Sequence, residues 1–251
     1  MSKYIGVDWA SNGWFAFCLT DRDDANMDFY PSIYNLWHHQ RDADRLLIDI
    51  PIGLSSNGKR ACDIEAKQAL GSKRGNSVFY TPIREGVEAQ NIKEAKQAQK
   101  ALDFSVQNQA WAIVPRIQEV DEFFEMFAGK IGDTDIRETH PEICFWALND
   151  GEPMTHGKKT EEGIEERLGL LSNHLTDARG LYEEAVETFT EPEWAPVIGK
   201  SGRDDILDAM VAALTARECG ENPPRLPKES SPEYDDVRGR EMEIIFWPNI
   251  D

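Results

Sequence analysis

The sequence has few cysteines, no long apolar run and a shortage of positive charge, and each absence argues against a class of protein. Its four cysteines are spread over 251 residues without a Cys-x-x-Cys pair, which disfavours zinc ribbons and disulfide scaffolds. No apolar stretch approaches the roughly 20 residues of a membrane helix, and the first residues, Met-Ser-Lys-Tyr-Ile-Gly-Val-Asp, lack a signal-peptide layout. We therefore expect a cytoplasmic protein with reduced thiols and no membrane partner.

The shortage of positive charge bears on the choice of partner. The chain has 27 lysines and arginines against 46 aspartates and glutamates, a formal net charge of −19. Phosphate binding normally requires a basic face, so a nucleic-acid partner requires either a locally basic surface or a host that lives at high salt. Residues 59–84 are locally basic, with Asp63 and Glu65 as the only acids among them. A local fluctuation on a solvated surface explains this window equally well.

The first part of the chain predicts three strands, a helix and a fourth strand. The predicted strands are residues 4–8, 14–19, 26–30 and 46–50. Asn12-Gly13 is a hairpin turn signal, because such a turn requires positive φ angles. After Pro31, apolar residues recur at helical spacing. The apolar fourth run, which ends at Pro51, is typical of a central parallel strand buried on both faces.

Beyond residue 53 the sequence changes character. We interpret residues 54–130 as an insertion of helices and loops within a single domain of residues 1–251, including a polar helix over 88–102. The later predicted elements are a fifth strand near 134–139, a helix from Pro141, a polar loop over 151–159, two amphipathic helices, a last helix over 204–218 capped by Ser201, and an edge strand near 243–247.

Four aspartates lie in segments that are expected to be buried. Removing a carboxylate from bulk water costs free energy unless a positive group pairs with it. Asp8 ends the first strand, Asp49 interrupts the apolar fourth strand, and Asp205 and Asp208 lie three residues apart on the last helix. Taken singly, Asp8 is explained by a turn, Asp49 by loop capping and Asp205 by the helix dipole. The dipole does not explain Asp208, which lies a turn further in.

Taken together, the four aspartates predict a metal site. The first and fourth strands are neighbours in the predicted topology, so Asp8 and Asp49 meet at their carboxyl ends. Small alanines beside Asp205 and Asp208 permit the last helix to pack there. Carboxylates this close raise one another's pKa unless a cation neutralises them. Two divalent ions about 3.5–4 Å apart do so and activate water for phosphodiester cleavage, and Mg²⁺ or Mn²⁺ is expected in an all-oxygen site.

Several short motifs carry a family resemblance. They are Gly6-Val7-Asp8, Ile48 to Leu54 (Ile-Asp-Ile-Pro-Ile-Gly-Leu), Cys62-Asp63, Ser77-Val78-Phe79 with Pro82 and Arg84, Glu138 to Glu142 (Glu-Thr-His-Pro-Glu), and Asp204 to Ala209 (Asp-Asp-Ile-Leu-Asp-Ala). The chain resembles the RNase H-like superfamily, and the Asp-x-x-Asp-Ala spacing is similar to the last motif of RuvC-type resolvases. Over most of its length it resembles the family of predicted RNase H-like nucleases.

The resemblance implies an α/β fold with an RNase H-like mixed five-stranded sheet. Its β-β-β-α-β core is flanked by helices, with a helical insertion after the fourth strand. The implied function is a metal-dependent nuclease that cleaves DNA or RNA by a carboxylate-bound two-metal mechanism. The acidic balance and the long insertion depart from a typical nuclease of this kind. Alternatives are an actin-like ATPase or phosphotransferase, which usually needs two domains and glycine-rich phosphate loops, and a non-catalytic regulatory protein.

Other candidate residues flank the same sheet edge. His140 is a candidate for proton transfer or phosphate contact, or else a helix-entry residue before Pro141. Glu142 is a further catalytic candidate, or else an acid that favours a helix N-terminus. Three arginines are candidates for bidentate contacts with substrate phosphates. They are Arg60, Arg74 and Arg84.

Overall fold

A five-stranded mixed sheet organises the computed structural model, which describes residues 1–190, 197–199, 202–228 and 232–250. The strands are β1 (Lys3–Ala10), β2 (Gly13–Thr20), β3 (Ala25–Tyr30), β4 (Arg45–Ile48) and β5 (Asp135–Glu138). Their order in the sheet is β3-β2-β1-β4-β5. The β1–β2 and β2–β3 pairs are antiparallel, whereas β4 runs parallel to both β1 and β5. This confirms the predicted five-stranded core.

Helices occupy most of the connections. They are α1 (Ile33–Gln40), α2 (Ala61–Arg74), α3 (Arg84–Val87), α4 (Ile92–Ala98), α5 (Asn108–Met126), α6 (Pro141–Leu148), α7 (Glu161–Leu171), α8 (Ala178–Ala185) and α9 (Arg203–Glu218). A π-helical turn, Val186–Thr190, continues α8. Four of these helices lie between β4 and β5, where the helical insertion was predicted. The expected cap Ser201 lies outside the described residues. Every helix in the described ranges is too short or too polar to cross a membrane.

The β1–β2 hairpin turns one residue earlier than predicted. Ala10 pairs with Gly13, so the turn residues are Ser11 and Asn12, and Ser11 has the positive φ of 59°. Gly13 is required for a different reason. A Cβ on Gly13 would lie 2.5 Å from the carbonyl oxygen of Tyr30 on β3. The glycine therefore permits close packing of neighbouring backbone rather than an unusual φ angle.

Two predicted elements differ in the structure. The polar helix expected over 88–102 is shorter, because Asn91 begins α4 by accepting hydrogen bonds from the backbone nitrogens of Lys93 and Glu94. The strand expected near 243–247 is β7 (Ile244–Ile245), which pairs with β6 (Arg225–Leu226) in a separate two-stranded sheet. Ile245 also forms a single bridge with Thr139, just beyond β5.

The two faces of the main sheet bury separate cores. Ile5 and Val7 of β1 pack with residues of α1 and α5 on one face. On the other face, α6, α7 and α9 share a core with residues of β2. Side chains alternate between the faces along a strand. Asp8, which follows Val7, therefore points towards the face that α9 covers.

Gly6 permits an unusually close approach of α9 to β1. A Cβ on Gly6 would lie 2.1 Å from the carbonyl oxygen of Ala209 and 2.2 Å from the backbone nitrogen of Ala213. Ala212, beside them, packs on Leu47 of β4. The small residues predicted to allow close helix packing thus contact the strands directly, and the N-terminal turns of α9 reach the carboxyl ends of β1 and β4.

Candidate metal centre and active site

The parallel pairing of β1 and β4 places Asp8 and Asp49 side by side. Val7 is in register with Ile48, and the backbone nitrogen of Asp49 donates to the carbonyl oxygen of Val7 at 3.0 Å. Asp8 follows Val7 on β1, and Asp49 directly follows Ile48, the last residue of β4. Both line one cavity, so the structure brings together the two strand aspartates expected to meet there.

Helix α9 adds two further carboxylates to this position. Oxygen atoms of Asp8, Asp205 and Asp208 lie within 4.8 Å of one another. Asp8 and Asp208 are buried, and Asp205 is partly buried. Because carboxylate oxygens are preferred ligands of Mg²⁺ and Mn²⁺, this trio has the composition and spacing of a divalent-metal site, with Asp49 alongside.

The electrostatics of the cluster show how costly four neighbouring anions are. Burial raises the pKa of Asp8 well above its usual range, and the charges of Asp205, Asp49 and Asp208 raise it further. Burial is also the main reason that the pKa of Asp205 rises to about 8 and that of Asp208 to about 6. The pKa of Asp49 is raised too, chiefly by burial. A bound cation would remove this penalty by favouring the ionised carboxylates.

Unsatisfied oxygens are the strongest local sign that the site fits a cation. Oδ1 of Asp208 and Oε2 of Glu142 are buried without a hydrogen-bond partner. Buried acceptors are nearly always satisfied in native proteins, so each such atom requires an explanation. Both residues line the cavity that contains Asp8 and Asp49. A divalent ion held by Asp8, Asp205 and Asp208 would satisfy Oδ1 of Asp208, whereas Glu142 lies outside that group of three.

A lysine that sequence reasoning missed reaches the same carboxylates. Nζ of Lys158 donates to Oδ2 of Asp208 at 2.6 Å and lies 3.1 Å from Oδ2 of Asp204. Lys158 belongs to the polar loop between α6 and α7, and Asp204 begins the Asp204 to Ala209 motif without having been predicted as a site residue. The sequence signal was the adjacent pair Lys158-Lys159 in an otherwise acidic region, which spacing alone does not assign to a site.

His140 and Glu142 lie at the cavity wall, as their position after β5 predicted. His140 directly precedes Pro141 at the start of α6, which agrees with its reading as a helix-entry residue, and its Nδ1 is buried without a partner. The electrostatic influence of His140 lowers the pKa of Asp49, against the larger effect of burial, which raises it. Oε1 of Glu142 accepts from Nη2 of Arg167, which is fully buried. Catalytic roles for His140 and Glu142 stay predictions.

The cavity has a volume of about 310 Å³ and two kinds of lining residue. Asp8, Asp49 and Asp208 contribute carboxylates beside His140 and Lys158, whereas Asp205 is not among its lining residues. The loop after α2 and the start of α5 contribute apolar and amide side chains. They are Asn76, Val78, Phe79, Gln109 and Ile113. The pocket therefore offers carboxylates together with apolar and amide groups to a ligand.

Arg60 is held by carboxylates of the protein itself. Its Nη1 and Nη2 donate to the two oxygens of Glu138 at 2.7 and 2.6 Å, and Nη2 also donates to Asp63 at 2.6 Å. The side chain is buried, although it contributes to the cavity wall. This bidentate pairing occupies the donors that a phosphate would need, so the predicted phosphate contact would require a rearrangement.

The other two predicted arginines have different surroundings. Arg84 is buried and pairs with Asp121 at 3.0 Å and with Asp235. Nε of Arg74 donates to the carbonyl oxygen of Met154 at 2.9 Å. Neither Arg74 nor Arg84 is among the residues that line the cavity. Their roles in substrate binding stay predictions, and the structure does not bring them to the carboxylates.

The basic window of residues 59–84 largely serves internal contacts. Nζ of Lys59 lies 2.6 Å from Asp103 and 4.7 Å from the ring centroid of Tyr80. Nζ of Lys67 donates to the carbonyl oxygens of Gly75 and Val78. These lysines stabilise the loop after α2, which lines the cavity, so the window is not an open basic face at these positions.

Comparison with known proteins places the chain in one family. No curated protein and no solved structure matches it. A family model described as "Protein of unknown function (DUF429)" matches residues 6–231. That span contains all four predicted metal ligands and nearly all of the sheet. The chain therefore belongs to the DUF429 family.

Proposed function

We propose that this protein is an RNase H-like, metal-dependent nuclease that hydrolyses phosphodiester bonds of DNA or RNA. The observation that carries the proposal is the convergence of Asp8, Asp205 and Asp208 to within 4.8 Å, beside Asp49. The strand order and the crossing of α9 over β1 agree with the resemblance to RNase H-like nucleases. The unsatisfied Oδ1 of Asp208 supports a cation at this position, and the unsatisfied Oε2 of Glu142 belongs to a residue that lines the same cavity.

The proposal gives each of these residues a separate role. Asp8, Asp205 and Asp208 would hold a divalent ion, and Asp49 and Glu142 would complete the negative wall around a second one. Bound Mg²⁺ or Mn²⁺ supplies Lewis-acid activation of water and neutralises charge on the phosphate. His140 lines the same cavity, and its buried, unpartnered Nδ1 would be the candidate for proton transfer.

The volume of the cavity and the net charge of the whole chain favour single-stranded nucleic acid over a duplex. A volume of about 310 Å³ is at the lower end of small-ligand pockets and suits about one nucleotide unit. Phe79 and Ile113 offer an apolar surface to a base. Stacking of a base on an aromatic side chain such as Phe79 tolerates any nucleotide sequence. The net charge of −19 disfavours extended contact with a duplex backbone.

The direct test is cleavage of labelled single-stranded, duplex and junction substrates of DNA and RNA with Mn²⁺ or Mg²⁺. We expect cleavage that EDTA abolishes and that Asp49→Asn abolishes while the variant remains folded by circular dichroism. Asp133→Asn, an exposed change of the same chemistry, serves as the matched control and should cleave normally. Cleavage that persists in EDTA would refute the mechanism.

Two further outcomes would select the alternatives. ATP hydrolysis without nucleic-acid cleavage would support the phosphotransferase class. Folded, metal-binding protein that turns over neither ATP nor any polynucleotide would support a non-catalytic regulator.

A further inference from the structure

The loop between α6 and α7 is fixed to the rest of the molecule on both sides of Lys158. Before it, the backbone nitrogens of Thr155 and His156 donate to the carboxylate of Glu166 at 2.8 and 2.9 Å. After it, Thr160 caps α7, since its Oγ1 accepts from the backbone nitrogen of Gly163 at 3.1 Å. The backbone at Lys158 is therefore held in place by contacts with α7.

A close backbone contact further restrains this loop. A Cβ on Gly163 would lie 1.9 Å from the carbonyl oxygen of Gly157, the residue before Lys158. The glycine in the first turn of α7 thus lets the loop press directly onto the helix. Lys158 is presented to the acidic cluster by packed backbone, unlike a lysine on a free surface loop.

The ammonium of Lys158 contacts only one of the two carboxylate oxygens of Asp208. Oδ2 accepts from Nζ at 2.6 Å, whereas Oδ1 is buried without a partner. Nζ also lies 3.1 Å from Asp204, and the side chains of Asp204 and Asp208 are both only 2% exposed. One oxygen of Asp208 is therefore neutralised by a protein cation, while the other, Oδ1, has no hydrogen-bond partner, and Asp208 is grouped with Asp8 and Asp205 within 4.8 Å.

We propose that the ammonium of Lys158 occupies the place of one of the two cations, so that the site binds a single divalent metal ion through Asp8, Asp205 and Oδ1 of Asp208. The inference rests on the proposed function and reduces its two metal ions to one. An ammonium is a compact single charge with three donors. It neutralises Asp204 and Asp208, leaving the activation of water to the metal ion, and Lys158 is a positioning residue.

The test counts bound Mn²⁺ ions, which requires no substrate. Calorimetric titration of the full chain, checked by the electron paramagnetic resonance signal of free Mn²⁺, gives the number of ions per chain. We expect one ion for the wild type and two for Lys158→Met, in which the vacated position takes a second cation. Lys158→Arg keeps the charge and should again bind one. Lys130→Met removes an equal charge from an exposed side chain that does not line the cavity, and should also bind one.

Each result decides the matter. Two ions bound by the wild type, or one ion bound by a folded Lys158→Met variant, would overturn the inference while leaving the metal-dependent nuclease intact. Failure of every variant, including the wild type, to bind Mn²⁺ would overturn the proposed function and this inference together. A cooperative melting transition establishes that each variant is folded. The rise in melting temperature on adding Mn²⁺ reports binding separately, since an ion that binds the folded protein stabilises it.

Discussion

Gly6 and Ala209 lie so close that no side chain fits between them: a Cβ on Gly6 would be 2.1 Å from the carbonyl oxygen of Ala209. This contact joins the strand that carries Asp8 to the helix that carries Asp205 and Asp208. Because the contact is with backbone, a side chain cannot rotate away to relieve it. The acidic cluster therefore depends on a glycine that takes no part in chemistry.

Gly6→Ala should destabilise the protein severely. The added methyl group must displace α9, and overpacking of this kind costs about 3 kcal/mol or more when backbone has to move. We expect a large fall in the free energy of unfolding measured with urea. Gly169→Ala is the matched control, because Gly169 is exposed within α7 with no atom near its Cβ position. That change should raise stability by about 1 kcal/mol, and a similar effect at both sites would contradict the packing argument.

Asp8→Asn should stabilise the metal-free protein while removing its response to metal. Burial and neighbouring aspartates raise the pKa of Asp8, so its charge is unfavourable without a cation. We expect a gain of about 1–2 kcal/mol in EDTA and no increase in melting temperature on adding Mn²⁺. Glu184→Gln, an exposed change on α8, should leave the response to Mn²⁺ unchanged. Loss of stability in EDTA for Asp8→Asn would argue against electrostatic strain in the cluster.

Arg60→Met should lower the free energy of unfolding, an effect that does not depend on substrate binding. The change leaves Glu138 and Asp63 buried without their cation, and breaking a buried ion pair costs about 3–5 kcal/mol. Arg74→Met removes one hydrogen bond to a backbone carbonyl and should cost about 1 kcal/mol. Chemical denaturation measures both. An Arg60→Met protein of normal stability that had lost only substrate affinity would restore the predicted phosphate contact.

Asp235 should make stability sensitive to acid. Burial alone raises its pKa, but hydrogen bonds from the backbone nitrogens of Leu54, Arg238 and Val237, together with the Arg84 guanidinium, outweigh burial and lower the pKa. Below its usual pKa the unfolded chain binds a proton that the folded protein excludes. The contribution is therefore complete above about pH 4 and is lost as the pH falls through the lowered value.

Asp235→Asn tests this by comparison with the wild type across pH. We expect the variant to be less stable by about 2–3 kcal/mol at pH 7, and the difference to shrink below about pH 4. Asp236→Asn, an exposed neighbour, should follow the wild type throughout. A difference between Asp235→Asn and the wild type that stayed constant down to pH 3 would show that the carboxylate charge has no part in the effect.

Local pattern was enough for most of the fold. The alternation and apolar runs of β1 to β4 reflect burial on one or both faces, a property of each segment alone. The helix expected over 88–102 was predicted too long because the composition favours helix along the whole segment, whereas Asn91 caps a shorter helix, α4 (Ile92–Ala98). The turn at Ser11 was displaced by one residue because Gly13 serves packing against β3, which its own neighbours in the chain do not reveal.

By itself the sequence determined the order of strands and helices and the choice of the four aspartates as candidate metal ligands. Hydrophobic periodicity, and a carboxylate within an apolar segment, are both local signals. Only the tertiary structure decided which cations meet which acids. Arg60 pairs with Glu138 across 78 residues, and Lys158 with Asp208 across 50. Spacing along the chain carries no information about such partners, because an ion pair forms wherever packing brings opposite charges together out of water.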